Sequence, residues 1–160
     1  MEHPVFRHCF QVRLHDTDAA GVLFFGHLFR HAHDAYESFM AELGFPLHRL
    51  IQREPPDAST RLPITHAEAD FKRPLRQGDT VEVELRVREV RPRSFSLDYR
   101  FLDPDGNLCA SARTVHVYLS DAAGSGLQLP DGLGSALATR ASPPDGAPQT
   151  PTARGPLTGR

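Results

Sequence analysis

Tryptophan is absent from this 160-residue chain, and cysteine and methionine occur only twice each. Cys9 and Cys109 lie a hundred residues apart without C-x-x-C spacing, which argues against a disulfide framework or a thiolate zinc site and predicts two reduced, semi-buried thiols. No apolar run approaches the length of a membrane span, so membrane insertion is not expected. The opening Met1-Glu2-His3-Pro4 lacks the basic-then-apolar pattern of a secretory signal, so a cytoplasmic location is expected. A formal net charge of −2 argues against general nucleic-acid binding. No aromatic residue follows Tyr118, and the last forty residues hold thirteen of the twenty-six Gly and Pro residues. These two facts predict a folded unit over 1–120 and a flexible Gly/Pro-rich tail over 121–160, in which no chemistry is expected.

What is present is a change of hydrophobic period along the chain. Residues 6–14 read as a first strand. Phe25, Leu28, Phe29, Ala32, Tyr36, Phe39, Met40 and Leu43 then follow steps of three and four, which predicts a helix of seventeen to nineteen residues. Gly44 stands where its C-terminal cap belongs, and Pro46 blocks continuation. A short helical turn is expected at Leu47–Ile51. Beyond it the period becomes two. Leu62–Phe71 reads as a strand. Val81, Val83, Leu85 and Val87 alternate with charged residues in another, and Phe95, Leu97, Tyr99 and Phe101 alternate in a third. Asp103-Pro104-Asp105-Gly106-Asn107 marks a reversal, and Val115, Val117 and Leu119 alternate in the last strand. A sheet of this kind can curl around one helix, leaving its outer face and edges incompletely covered. Self-association is the natural remedy.

The densest chemistry lies at His15-Asp16-Thr17-Asp18-Ala19-Ala20-Gly21-Val22, directly before the helix. A carboxylate there neighbours backbone N–H groups that have no partner within the helix, which can pair a base or nucleophile with an oxyanion donor. Taken alone, Asp18 reads first as a helix or loop cap, the usual role of an aspartate before a helix. Asp16 is expected to orient the loop through backbone N–H groups, and Gly21 to permit a tight turn or a close approach of substrate. His27 and His31 share a helix face, but no third ligand is placed by spacing, so no metal is expected. No Gly-x-Ser-x-Gly elbow occurs, which argues against a serine-hydrolase triad. Tyr36, His66 and His116 read as packing or interface residues, Glu37 as a solvated helix residue, and Lys72, Arg73 and Arg76 as a solvated basic cluster.

Asp16-Thr17-Asp18-Ala19-Ala20-Gly21-Val22, Phe24-Phe25 and His33-Asp34-Ala35-Tyr36-Glu37 resemble the hotdog-fold acyl-CoA thioesterases of the 4-hydroxybenzoyl-CoA thioesterase class. So do Phe71-Lys72-Arg73-Pro74-Leu75-Arg76-Gln77-Gly78-Asp79 and Arg91-Pro92-Arg93-Ser94-Phe95. Within the class, the helix motif and Leu62–Phe71 are most similar to the 1,4-dihydroxy-2-naphthoyl-CoA hydrolases. The resemblance covers about residues 8–119. It implies an α+β fold with a curved antiparallel sheet wrapped around one long central helix. It implies hydrolysis of an acyl-CoA thioester, with Asp18 as nucleophile or as general base for water and the Phe25 backbone N–H as oxyanion donor. Gly21, Arg91, Arg93 and Ser94 are implied in substrate binding, the last three at the CoA nucleotide. No cofactor is implied, coenzyme A being part of the substrate. A homodimer or homotetramer is implied, with a site where one subunit's helix start meets its partner's sheet. A short-chain aliphatic substrate, a hotdog hydratase acting on an enoyl group and a non-catalytic acyl-CoA or acyl-carrier-protein binding module are the competing readings.

Overall fold

The structure, a computed structural model, describes residues 5–55, 59–121 and 128–141. Its elements run β1 (Phe6–Gln11), a 3-10 turn (Leu14–Asp16), α1 (Phe25–Glu42), α2 (Leu47–Leu50), β2 (Thr60–Arg61), β3 (Ile64–Phe71), β4 (Thr80–Arg91), β5 (Ser94–Leu102), β6 (Leu108–Val117), β7 (Leu119–Ser120) and α3 (Leu133–Thr139). Five strands form one sheet in the order β1-β4-β5-β6-β3, every pair antiparallel. β2 and β7 form a small separate ladder.

The 18-residue α1 lays its apolar stripe on the sheet, with Leu28, Ala32, Ala35, Tyr36, Phe39 and Met40 buried. Opposite stand Val81, Val83, Leu85 and Val87 of β4 and Phe95, Leu97, Tyr99 and Phe101 of β5, all almost fully buried. Each large side chain so buried contributes about 1.5–3 kcal/mol. The helix ends as its sequence dictates. Gly44 takes φ +92°, its N–H donates to Ala41 O (3.1 Å), and Phe45 N–H reaches back to Met40 O (2.9 Å), a Schellman closure.

The structure departs from the sequence reading at five places. β1 stops at Gln11 rather than 14, because Val12 turns inward to exchange backbone bonds with Gly78 and Asp79. The strand expected over Leu62–Phe71 begins at Ile64, and a two-residue strand that the sequence did not suggest precedes it at Thr60–Arg61. Pro63, which has no N–H to give a ladder, separates β2 from β3. Phe25 leaves the helical stripe and is 63% exposed. In β6 the buried phase is Ala110, Ala112, Thr114 and His116, while Val115 and Val117 occupy the other face. That inversion is affordable because the inward polar groups satisfy one another. Tyr99 Oη lies 3.0 Å from Thr114 Oγ1, which lies 2.8 Å from His116 Nε2. The His116 ring stacks on Phe95 at 4.9 Å.

The fifth departure concerns the segment read as a flexible tail. Within it, residues 128–141 belong to the packed unit, and Leu133 and Leu137 of α3 have no exposed surface. Ala141 bridges Val87 of β4, and Arg140 pairs with Glu42 at the end of α1 (3.1 Å). The boundary expected at 120 therefore falls inside the fold. Residues 122–127 and 142–160 lie outside the described residues. Cys9 is exposed and Cys109 buried, and both are free thiols.

Candidate active site

Asp18 opens a three-residue hairpin. Its N–H donates to Val22 O (2.9 Å), and Gly21 N–H donates to Asp18 O (3.0 Å). Gly21 completes the turn at φ +77°, the left-handed residue that closes such loops. A Cβ at Gly21 would meet nothing within 4 Å, so the requirement for glycine here is conformational. Asp18 Oδ1 accepts the Ala20 N–H (2.8 Å) and the Val22 N–H (3.4 Å). The carboxylate thus caps its own loop rather than the helix, whose N-cap is Phe24. The side chain is exposed, with its Oδ2 taking no bond from the described residues.

The hairpin is short. Thr17 bridges Leu23, and Phe24 N–H closes onto Asp16 O (2.9 Å). Phe25 begins α1 at the next residue. Phe25 and Gly26 are the first two amides of the helix and precede its first backbone bond, His27 N–H to Phe24 O (2.9 Å), so neither has an acceptor within α1. Phe24 and Phe25 pack ring to ring at 4.5 Å and remain 39% and 63% exposed. A carboxylate, two helix amides without an acceptor among the described residues and an exposed aromatic pair therefore share one end of the sheet.

Asp16 anchors this arrangement from below and is fully buried. It accepts the Arg13 N–H (2.8 Å) and the Arg30 guanidinium, and its backbone carbonyl meets His27 Nδ1 (3.0 Å). Burial pushes its pKa up. The Arg13 amide, His31 and Arg30 outweigh this, and the carboxyl titrates below its ordinary range. His31 Nε2 stands 3.2 Å from Asp16 Oδ2 without hydrogen-bond alignment, and its ring stacks on Phe10 at 3.7 Å. Burial holds His31 below the usual imidazole pKa, against the pull of Asp16. The two histidines of the helix face are thus directed at Asp16. No cluster of three metal-ligating side chains occurs among the described residues.

A cavity of about 320 Å³ adjoins the hairpin, lined by Val22, Leu23, Phe71, Lys72, Arg73, Pro74, Leu75 and Ala110. Asp18 does not line it. The connection runs through Val22, which bridges Arg76, and Leu23, whose N–H donates to Leu75 O (2.7 Å).

The remaining residues singled out in the sequence lie elsewhere. Arg91 and Ser94 pair across the β4–β5 hairpin and line an outer-face groove of about 260 Å³ with His66, Arg88 and Arg113. Sequence spacing did not reveal His66 and Arg113, which only the register of β3 and β6 brings here, whereas Arg88 lies on β4 itself, three residues before Arg91. Arg91 pairs with Glu89 (3.0 Å), whereas Arg93 is exposed and outside the groove lining. The Asp18 hairpin is bonded to residues 75–76, just before β4, and Arg91 ends β4. The twelve residues of that strand span roughly 35 Å. Asp18, Gly21 and Phe25 are brought together, and Arg91, Arg93 and Ser94 are brought together, at opposite ends of one protomer.

Residues 12–137 match the thioesterase-like superfamily family model. A 1,4-dihydroxy-2-naphthoyl-CoA hydrolase of Synechococcus elongatus is 38% identical over 122 residues, covering 76% of this chain and 87% of the relative. The enzyme of the same name from Microcystis aeruginosa is 36% identical over 122 residues, covering 76% and 85%. Among solved structures, a 1,4-dihydroxy-2-naphthoyl-CoA thioesterase from Synechocystis superposes with TM-score 0.74 at 29% identity, over 84% of this chain and 96% of that one. A gentisyl-coenzyme A thioesterase superposes with TM-score 0.70 at 30% identity, over 82% and 98%. A long helix on an antiparallel sheet, an acidic hairpin at its N-terminus and this extent of similarity agree: the chain belongs to the thioesterase-like superfamily and is a hotdog-fold thioester hydrolase.

Proposed function

We propose that this protein hydrolyses an aromatic acyl-CoA to the free acid and coenzyme A, with 1,4-dihydroxy-2-naphthoyl-CoA the first candidate and 4-hydroxybenzoyl-CoA the second. The observation that carries the reading is the exposed Asp18 carboxylate, steadied through Oδ1 by two amides beside the first amides of α1, which have no acceptor within the helix. Asp18 either attacks the thioester carbonyl itself or takes a proton from an attacking water. When Asp18 attacks, its oxygen forms the C–O bond as the C–S bond breaks, and water then hydrolyses the resulting mixed anhydride to the acid and the restored carboxylate. When water attacks, its oxygen forms the C–O bond and Asp18 holds its proton. In both routes the thiolate leaves to be protonated as CoA. The Phe25 N–H meets the oxyanion, a contact whose loss costs about 3–4 kcal/mol in comparable sites. Water and the chain's own groups suffice for this scheme, and coenzyme A enters only as part of the substrate. The exposed Phe24–Phe25 pair offers an aryl acyl group a stacking surface that an aliphatic chain would use less well.

The site on this reading is shared between two copies. β3 is an eight-residue edge strand, mostly exposed on both faces, with Ile64 43% and Phe71 51% exposed. Antiparallel pairing of two β3 edges about a two-fold axis sets the Phe71 end of one copy against the Ile64 end of the other. The Phe71 end carries Asp18, and the Ile64 end carries Arg91, Arg93 and Ser94. That pairing supplies the arginines for the CoA phosphates that Asp18's own protomer holds roughly 35 Å away.

The test is a panel of aryl and short-chain acyl-CoA thioesters. The proposal expects kcat/KM for the aryl substrates to exceed that for the aliphatic ones by at least tenfold, about one stacking contact. Preference for a short aliphatic chain would overturn the aryl assignment, and binding without turnover would favour the non-catalytic reading.

A further inference from the structure

The tip of a two-residue hairpin ordinarily turns its carbonyls to water. The β4–β5 tip, Pro92–Arg93, does not. Arg93 O accepts the Tyr118 N–H (2.9 Å), and Pro92 O accepts the Leu129 N–H (2.8 Å). Tyr118 is continuous with the end of β6. Leu129 belongs to the segment that leads into α3, held down by the fully buried Leu133 and Leu137. The same segment continues to the Val87–Ala141 bridge on β4 and the Arg140–Glu42 pair on α1. Both tip carbonyls are therefore tied to the body of the fold, while Arg91 and Arg93 stay exposed.

We propose that residues 129–141 are a positioning element for CoA binding, fixing the Pro92–Arg93 tip so that Arg91 and Arg93 meet the nucleotide phosphates already oriented. The proposal rests on the assignment of that tip to the nucleotide. Guanidinium–phosphate contacts are directional, and a backbone ordered in advance spares the entropy of ordering it on binding. The segment's bonds go to Pro92, Val87 and Glu42 and none goes to the Asp18 hairpin among the described residues, so its effect is expected on nucleotide affinity.

Leu129→Pro removes the amide donor, and Leu129→Ala keeps it while shortening the side chain. Leu129→Pro is expected to raise KM for an aryl-CoA thioester about fivefold, the worth of one net hydrogen bond. It should leave kcat within about twofold and spare the matching acyl-pantetheine, which has no nucleotide. Leu129→Ala should change KM by less than about twofold. An unchanged KM in Leu129→Pro, an equal effect of the two variants, or an equal loss on acyl-pantetheine would each overturn the proposal. The double variant Arg91→Ala/Arg93→Ala, run alongside, separates the two layers. If it spares KM for the CoA thioester, the nucleotide assignment itself fails. If it raises KM and Leu129→Pro does not, only the positioning role fails. Should Leu129→Pro not fold, amide exchange of the unaltered protein replaces it. Coenzyme A, but not pantetheine, should slow exchange at Leu129 and Tyr118, and equal exchange with both probes overturns the proposal.

Discussion

At the scale of single residues, the two aspartates of one motif differ in burial, and the proposed chemistry falls to the exposed one. Asp16 is sealed under the loop with charged and amide partners, while Asp18 stays exposed with one oxygen that takes no bond from the described residues. Asp16→Ala should destabilise the fold by about 2–3 kcal/mol, because it strips acceptors from the Arg13 amide and from Arg30, which can turn to solvent. Urea denaturation checks this. The folded-state pKa of Asp16 is depressed, so its contribution is present above the unfolded carboxyl pKa and is lost as pH falls through the folded value. Gly21→Ala should cost about 1–2 kcal/mol, since alanine must adopt φ +77°. It should also lower kcat by loosening the Asp18 turn, whereas Ala20→Ser, at ordinary φ, should do neither.

His116 makes a separate prediction. Burial, with a smaller push from His33, drives its pKa down to about 3. The unfolded chain then binds a proton that the folded one refuses between about pH 6.5 and 3, so stability falls as pH drops through that window. From pH 6.5 to 5 the loss is about 1.5 kcal/mol. His116→Phe should flatten the stability profile over that range, and a slope equal to the parent's would contradict the buried neutral imidazole.

At the scale of elements, α1 was legible because its stripe, its glycine cap and Pro46 all agree, and propensity, pattern and packing point the same way. The Asp-Ala-Ala-Gly hairpin was half legible. The turn residues are there, but only the ladder from 16–18 to 22–24 places the carboxylate beside the helix amides. β6 was misread in phase because its valines face outward, and the inward histidine and threonine are tolerated only through Tyr99, a non-local partner no window reveals. α3 was missed because seven residues carry too little periodicity against a Gly/Pro-rich background, and its burial depends on β4 and α1. Leu133→Ala or Leu137→Ala should each cost about 2–5 kcal/mol, as core truncations do. A thermal unfolding midpoint equal to the parent's would contradict the packing of α3.

At the scale of the whole molecule, the proposed carboxylate and phosphate half-sites lie at the two ends of β4 in one copy, and a second copy across the β3 edge would join them. Phe71→Glu should dissociate the assembly in sedimentation and lower turnover with it, because a charge would then face the seam. Subunit mixing is sharper. Asp18→Asn and Arg91→Ala/Arg93→Ala protomers, each weak alone, should regain roughly a quarter of the parent rate at low substrate when mixed, since half the dimers are mixed and each carries one intact site. The central claim is that Asp18 drives thioester cleavage, and turnover of 1,4-dihydroxy-2-naphthoyl-CoA by Asp18→Ala, read beside CoA affinity on the same preparation, tests it most directly. If Asp18 carries the reaction, kcat falls about 10²–10⁴-fold with CoA affinity retained, and turnover at the parent rate would rule that role out.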